Sequence, residues 1–178
     1  MHPSSVENMK KVRAEYLTHL NTLSSIKVLD VGGIYDAEHK TYLRLYEDLP
    51  NLDWNICDIV DHPKVTARMT GPYTMPYADN TFDLLVSGQM LEHSSNPFKS
   101  VAEMNRVLKP DAYMVIIAPS AGPYHDVQDG WRFLKDAFRF IAEDVGNIEI
   151  VADWITTNAP DERSRKWQDH VFVGKKMK

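Results

Sequence analysis

The sequence has 178 residues, a formal net charge of −5, 43% hydrophobic and 25% charged side chains, the proportions of one globular domain with a single buried core. Lysines and arginines are scattered, and Lys175, Lys176 and Lys178 form only a short tail. The basic footprint by which a protein grips phosphates is therefore missing, and no nucleic-acid partner is expected. The longest apolar run, Met114 to Pro119, is too short to span a bilayer, the first residues lack an apolar signal core, and the one cysteine, Cys57, can form no intramolecular disulfide; these features predict a cytoplasmic location with no membrane association.

In chain order, Val6, Met9, Val12, Tyr16, Leu20 and Leu23 recur at helical spacing and predict an amphipathic helix over about residues 5–23. Ile26 to Val31 reads as a strand buried on both faces. Ala37 to Leu49 reads as a helix stopped by Pro50, Leu52 to Cys57 as a second strand, and Lys64 to Ala67 as a weak third. Thr81 to Ser87 is the next strand. Asn96 and Pro97 form a helix start, with the helix running to Leu108 and Phe98, Val101, Met104 or Asn105, and Leu108 facing inward. Lys109, Pro110 and Asp111 make a turn into a strong buried strand, Tyr113 to Ala118. A helix from Phe133 to Val145 ends at Gly146. Ile148 to Trp154 and Asp169 to Val173 are the last strands, separated by a polar loop over Thr156 to Gln168.

Alternating strands and helices imply an α/β fold, a mostly parallel sheet with helices on both faces. The two final strands, with no helix between them, add an antiparallel pair at one edge. The expected organisation is a single domain over 1–178, with an N-terminal helix or lid over 1–25 and the core over 26–178. In such sheets ligands bind beyond the carboxyl ends of the strands, where the strand order reverses, so chemistry is expected just after residues 31, 57, 87 and 118. There, Gly32 and Gly33 let the backbone approach a ligand closely, and Asp30 can accept hydrogen bonds from loop amides or a ligand amine. Asp58, at the end of the second strand, is placed to hold the two hydroxyls of a ribose.

The segments VLDVGG (28–33), MPYADNTFDLLVSGQMLEH (75–93) and EMNRVLKPDAYMVIIAPS (103–120) together resemble the type 11 methyltransferase domain, a small-molecule branch of the S-adenosylmethionine (SAM)-dependent methyltransferases. APSAGPYHDVQDGWRFLKDAF (118–138) is similar to a subgroup of that family with members often thought to act on glycans or other small acceptors. The resemblance implies a Rossmann-like fold with a seven-stranded sheet, SAM as cofactor and S-adenosylhomocysteine as product. It also implies a cofactor set of Asp30, Gly32, Gly33, Asp58, Met69, Thr70, Ser87 and Gln89. Two departures stand out. Ile34 and Asp36 occupy positions where the family loop carries further glycines, and Arg68, Met69, Thr70 and Gly71 replace the acidic residue that usually binds the adenine amine. The adenine contact then falls to a backbone group or to Thr70.

Methyl transfer needs alignment above all, and a base only where the acceptor must lose a proton. His93 and His125 are the candidate catalytic bases, with a surface position for either, or packing of His93 on the following helix, as the alternative. Tyr124, Asp129, Trp131 and Arg132 are the candidate substrate-binding residues. Arg132 either pairs with an acidic group on the substrate or braces Asp129 or Asp136, and Trp131 either walls the acceptor or packs in the core. Glu92 is expected to stabilise a loop or helix start. The grouping of His125, Asp126 and Asp129 is not a specific metal signal, and no metal is expected. The expected activity is methylation of a small-molecule or glycan-like acceptor, in a pocket either open or completed by a second copy as a homodimer. Two other readings are a catalytically silent SAM-binding module that regulates a partner and a nicotinamide-dependent oxidoreductase. For the latter, the G-x-G-x-x-G element is missing.

Overall fold

The computed structural model describes residues 3–34, 41–126, 128–156 and 167–178. Its elements in order are α1 (Pro3–Tyr16), β1 (Ile26–Val31), β2 (Leu52–Asp58), β3 (Ala67–Arg68), β4 (Phe82–Gly88), α2 (Pro97–Val107), β5 (Leu108–Ala121), α3 (Ala137–Val145), β6 (Ile148–Ile155) and β7 (Gln168–Lys176). The seven strands form one sheet in the order β3-β2-β1-β4-β5-β7-β6. β1 to β5 are parallel, and β7 runs antiparallel to both β5 and β6. The antiparallel strand thus lies one place in from the edge, and β6 forms the edge itself.

Successive side chains on a strand point to opposite faces, and the core divides accordingly. Leu29, Leu85, Met114, Ile116 and Phe172 point into one layer with α2 and α3. Val28, Leu84, Val115, Ile117, Val171 and Val173 point into the other with α1 and residues 42–49. α2 starts as its sequence implies. Pro97 occupies the first turn, and the Asn96 side chain accepts from the Lys99 N–H at 3.1 Å.

Four elements differ from expectation. The N-terminal helix ends at Tyr16 and continues as a 3₁₀ turn over Thr18–Thr22. The described part of the helix expected over 37–49 is not α-helical. Tyr42, Tyr46 and Leu49 are buried at helical spacing, but Leu45, Tyr46 and Leu49 each bond to the carbonyl three residues back, so the apolar face is carried by 3₁₀-type turns. α3 begins at Ala137, four residues after the expected start. The Phe133 N–H is taken by the Pro119 carbonyl at 2.8 Å, and the Phe133 carbonyl accepts from His170 Nδ1 at 3.0 Å, which fastens 133 to the sheet. The turn at Lys109–Asp111 is a bulge inside β5, where pairing jumps from Phe82–Leu108 to Leu84–Tyr113 and Asp111 takes φ +65°.

Candidate active site

The strand order reverses at β1, whose neighbours β2 and β4 depart in opposite directions. Beyond their carboxyl ends lies a cavity of 510 Å³, within the range of small-ligand sites. Gly32 and Gln89 floor it, Asp58, Ile59 and Val60 form one rim, Met69 and Met104 supply apolar wall, and His93 and Gln128 close the far side.

The backbone at the tip of β1 explains both glycines. Gly32 has φ +77°, and a Cβ there would fall 2.4 Å from Met90 Cγ, so only glycine lets the turn and Met90 share that space. Its N–H donates to the Cys57 carbonyl at 2.9 Å, tying the tips of β1 and β2. A Cβ on Gly33 would fall 2.4 Å from Asp30 Cγ. The turn therefore lies directly on the Asp30 carboxyl. Asp30 is fully buried, and neither of its oxygens has a hydrogen-bond partner among the described residues. The loop amides expected to reach it from residues 35–40 lie outside the described residues. Burial, reinforced by the nearby Asp58 charge, holds its carboxyl well above the usual range. The loop carrying Asp36 lies outside the described residues.

Asp58 stands half-buried at the rim, one carboxylate oxygen accepting from the Val60 N–H at 3.0 Å. Ile59 and Val60 are about half exposed beside it, at 52% and 54%, an apolar lip next to a carboxylate. The Met69 N–H bonds the Asp58 carbonyl at 2.8 Å and its side chain reaches the cavity. Thr70 is exposed, outside the lining, and bonds to Thr74. Ser87 is buried and outside the lining, and its hydroxyl donates to the carbonyl of cavity-lining Val31 at 2.9 Å, a cross-link between β1 and β4. Gln89, at φ +57°, donates through Nε2 to Asp169 at 3.0 Å. Asp169 also accepts from Ser4 at 2.8 Å, so the cavity floor is linked to α1.

A second cluster hangs on Asp129, whose side chain is fully covered. It accepts from Arg132 Nη2 at 2.7 Å, from the His125 N–H at 3.0 Å and from His125 Nδ1 at 2.9 Å. The Arg132 guanidinium beside it holds its carboxyl well below the usual carboxylate range. Arg132 also donates to the carbonyls of Gly122, Pro123 and Trp131. Of its two expected roles, bracing Asp129 is the one its bonds serve. Trp131 is 38% exposed and its indole N–H donates to the Ser94 carbonyl at 2.8 Å; Tyr124 is 68% exposed. Neither lines the cavity.

His93 and His125 meet edge to face, ring centres 5.1 Å apart. His93 Nδ1 bonds the Gln128 carbonyl and its Nε2 lies 3.7 Å from the Glu92 carboxylate. Glu92 is the residue the sequence undervalued. Its side chain is completely buried, neither oxygen has a hydrogen-bond partner among the described residues, and burial pushes its carboxyl up to about 8. The apolar–acid–His run LEH carried no hint of this, because the groups near it come from distant segments: the Gly130 N–H donates to the Glu92 backbone carbonyl at 2.9 Å, and the charges of Asp129, Arg132 and Asp169 act on its carboxyl.

This strand order is that of a Rossmann-like fold, and it is shared by solved methyltransferases. The fold matches a putative sarcosine dimethylglycine methyltransferase from Galdieria sulphuraria (TM-score 0.70, 14% identity, 97% of this chain and 86% of that one). It also matches a 1,6-didemethyltoxoflavin N1-methyltransferase from Burkholderia thailandensis, solved with 1,6-didemethyltoxoflavin and S-adenosylhomocysteine bound (TM-score 0.68, 13% identity, 98% and 79%). Residues 53–116 match the model of the methyltransferase domain family. In sequence it is 28% identical over 108 residues to a demethylmenaquinone methyltransferase from Renibacterium salmoninarum, covering 57% of this chain and 46% of that protein. The chain spans less than half the length of the curated relatives it matches.

Proposed function

We propose that the chain binds SAM over the tips of β1, β2 and β4 and transfers its methyl group to a small-molecule acceptor. The observation that carries the reading is the cavity at the strand-order reversal, with a carboxylate on its β2 rim and a glycine at the β1 turn. The residues present suit the cofactor. Asp58 offers an acceptor for ribose hydroxyls, Gly32 removes the side chain that would block close approach, and Ile59, Val60 and Met69 offer apolar surface for a flat base. Once bound, SAM supplies an electrophilic methyl group: the acceptor's lone pair bonds to the methyl carbon while the carbon–sulfur bond breaks and its electron pair stays on sulfur.

The chain's own contribution is alignment and proton management. Gln128 and Asp129 offer only acceptor oxygens to the two Nδ1 atoms, so each neutral ring carries its proton on Nδ1 and its lone pair on Nε2. His93, at the cavity wall, thereby faces an acceptor hydroxyl or ammonium with a lone pair able to take its proton. The acidic surface and the size of the cavity favour a small molecule, a glycan unit included, over nucleic acid. Calorimetry with S-adenosylhomocysteine, SAM and NAD tests the reading. One-to-one binding of the first two and none of NAD is expected, and failure of S-adenosylhomocysteine to bind overturns it.

A further inference from the structure

Glu92, His93 and His125 each place one ligand-capable atom within 4.8 Å of the other two. Three independent features make this more than a chance meeting of polar groups. The Glu92 side chain is entirely buried, yet both oxygens lack a partner among the described residues, and a buried carboxyl left so is costly unless something satisfies it. Both histidines have Nδ1 committed to a fixed oxygen, the Gln128 carbonyl for one and the Asp129 carboxylate for the other. That is how metal-binding imidazoles are oriented, with the second nitrogen left to coordinate. Asp129 is itself anchored by Arg132 on two sides, so the His125 ring is held before any ligand arrives.

From this geometry we infer that Glu92, His93 and His125 bind a divalent cation of the zinc type at the wall of the cavity. Two imidazole nitrogens and one carboxylate oxygen suit a borderline metal rather than Mg²⁺ or Ca²⁺, which prefer oxygen. Three protein ligands leave a fourth position, and His93 lines the cavity, so that position lies next to bound small molecules. Resting on the methyltransferase reading, the role that follows is to take the acceptor's oxygen as fourth ligand. Coordination lowers the pKa of such an oxygen, so a hydroxyl acceptor releases its proton to solvent and reacts as the anion. With a cation in place the histidines are ligands, not bases.

The full chain is freed of metal by chelation and titrated with Co²⁺, then with Zn²⁺, in the absence of SAM. Expected is saturable one-to-one uptake of Co²⁺ with the intense visible absorption of a four- or five-coordinate site, displaced by Zn²⁺ and not by excess Mg²⁺. Glu92→Gln, nearly isosteric, and His125→Gln, on an exposed loop, each weaken uptake on the order of 10–100-fold, with folding checked by circular dichroism. Asp129→Asn weakens it about 10-fold or more by freeing the His125 ring. Absence of saturable uptake, or uptake unchanged in both Glu92→Gln and His125→Gln, overturns the site. S-adenosylhomocysteine calorimetry on the same samples separates the two claims. Binding of that product without the metal removes only the cation site, and loss of both removes the methyltransferase reading as well.

Discussion

Asp58 and Gly32 act on the same ligand by different physics, and single substitutions separate them. A hydrogen bond to a charged group is worth about 1.5–3 kcal/mol, against about 0.5–1.5 for a neutral one. Asp58→Asn is therefore expected to weaken S-adenosylhomocysteine binding about tenfold, and Asp58→Ala by about 10–100-fold, with little change in stability because the side chain is only half-buried at a rim. Calorimetry reads the first effect and a urea midpoint the second; equal affinity in all three proteins removes the carboxylate from the site. Gly32→Ala is a backbone change. It asks alanine to hold φ +77° with its Cβ 2.4 Å from Met90 Cγ, a strain of about 1–3 kcal/mol. A lowered urea midpoint together with weakened binding is the expected pair, and an unaltered midpoint contradicts the close approach.

Elements were legible where local chemistry decides them, and obscure where a distant segment does. Asn96 with Pro97 marks the start of α2 unaided, and the cap is made as its side chain implies. Asn96→Ala should cost about 1 kcal/mol, read as a shifted denaturation midpoint with unchanged cofactor affinity; a neutral result means the Lys99 amide finds another acceptor. β1 and β2 were readable for the same reason, from their own apolar side chains, Ile26, Val28, Leu29 and Val31 in one and Leu52, Trp54, Ile56 and Cys57 in the other. Residues 41–49 misled because 3₁₀ turns bury Tyr42, Tyr46 and Leu49 at the spacing an α-helix would use. Phe133 to Asp136 misled because two sheet contacts hold Phe133 and outcompete helical propagation. The candidate site divides likewise. Gly32 and Asp58 follow from strand ends, and Arg132 as a brace follows from Asp129 three residues before it, whereas Ser87 as a strand cross-link and Glu92 as a buried unpartnered acid depend on segments far away in sequence.

At the scale of the whole molecule, the sheet closes over an acid it does not neutralise, and this makes folding depend on pH. In the unfolded chain Asp30 titrates near pH 3.9; in the fold, burial first and the Asp58 charge second hold it well above that value. Between those two pKa values the folded chain carries a proton that the unfolded chain has released, so stability falls as pH rises through that window. Below it both states are protonated and the effect vanishes. Glu92 and Asp169, also raised by burial, push in the same direction, so the wild type should lose stability toward alkaline pH. Asp30→Asn keeps the shape and removes the titration. Its buried amide adds an offset that is the same at every pH, so the informative quantity is the slope. Thermal unfolding from about pH 4.5 to about pH 8 should show the variant gaining on the wild type as pH rises. A constant difference between the two would mean that Asp30 ionises as readily in the fold as out of it, and that the turn at Gly33 leaves its carboxyl open to water.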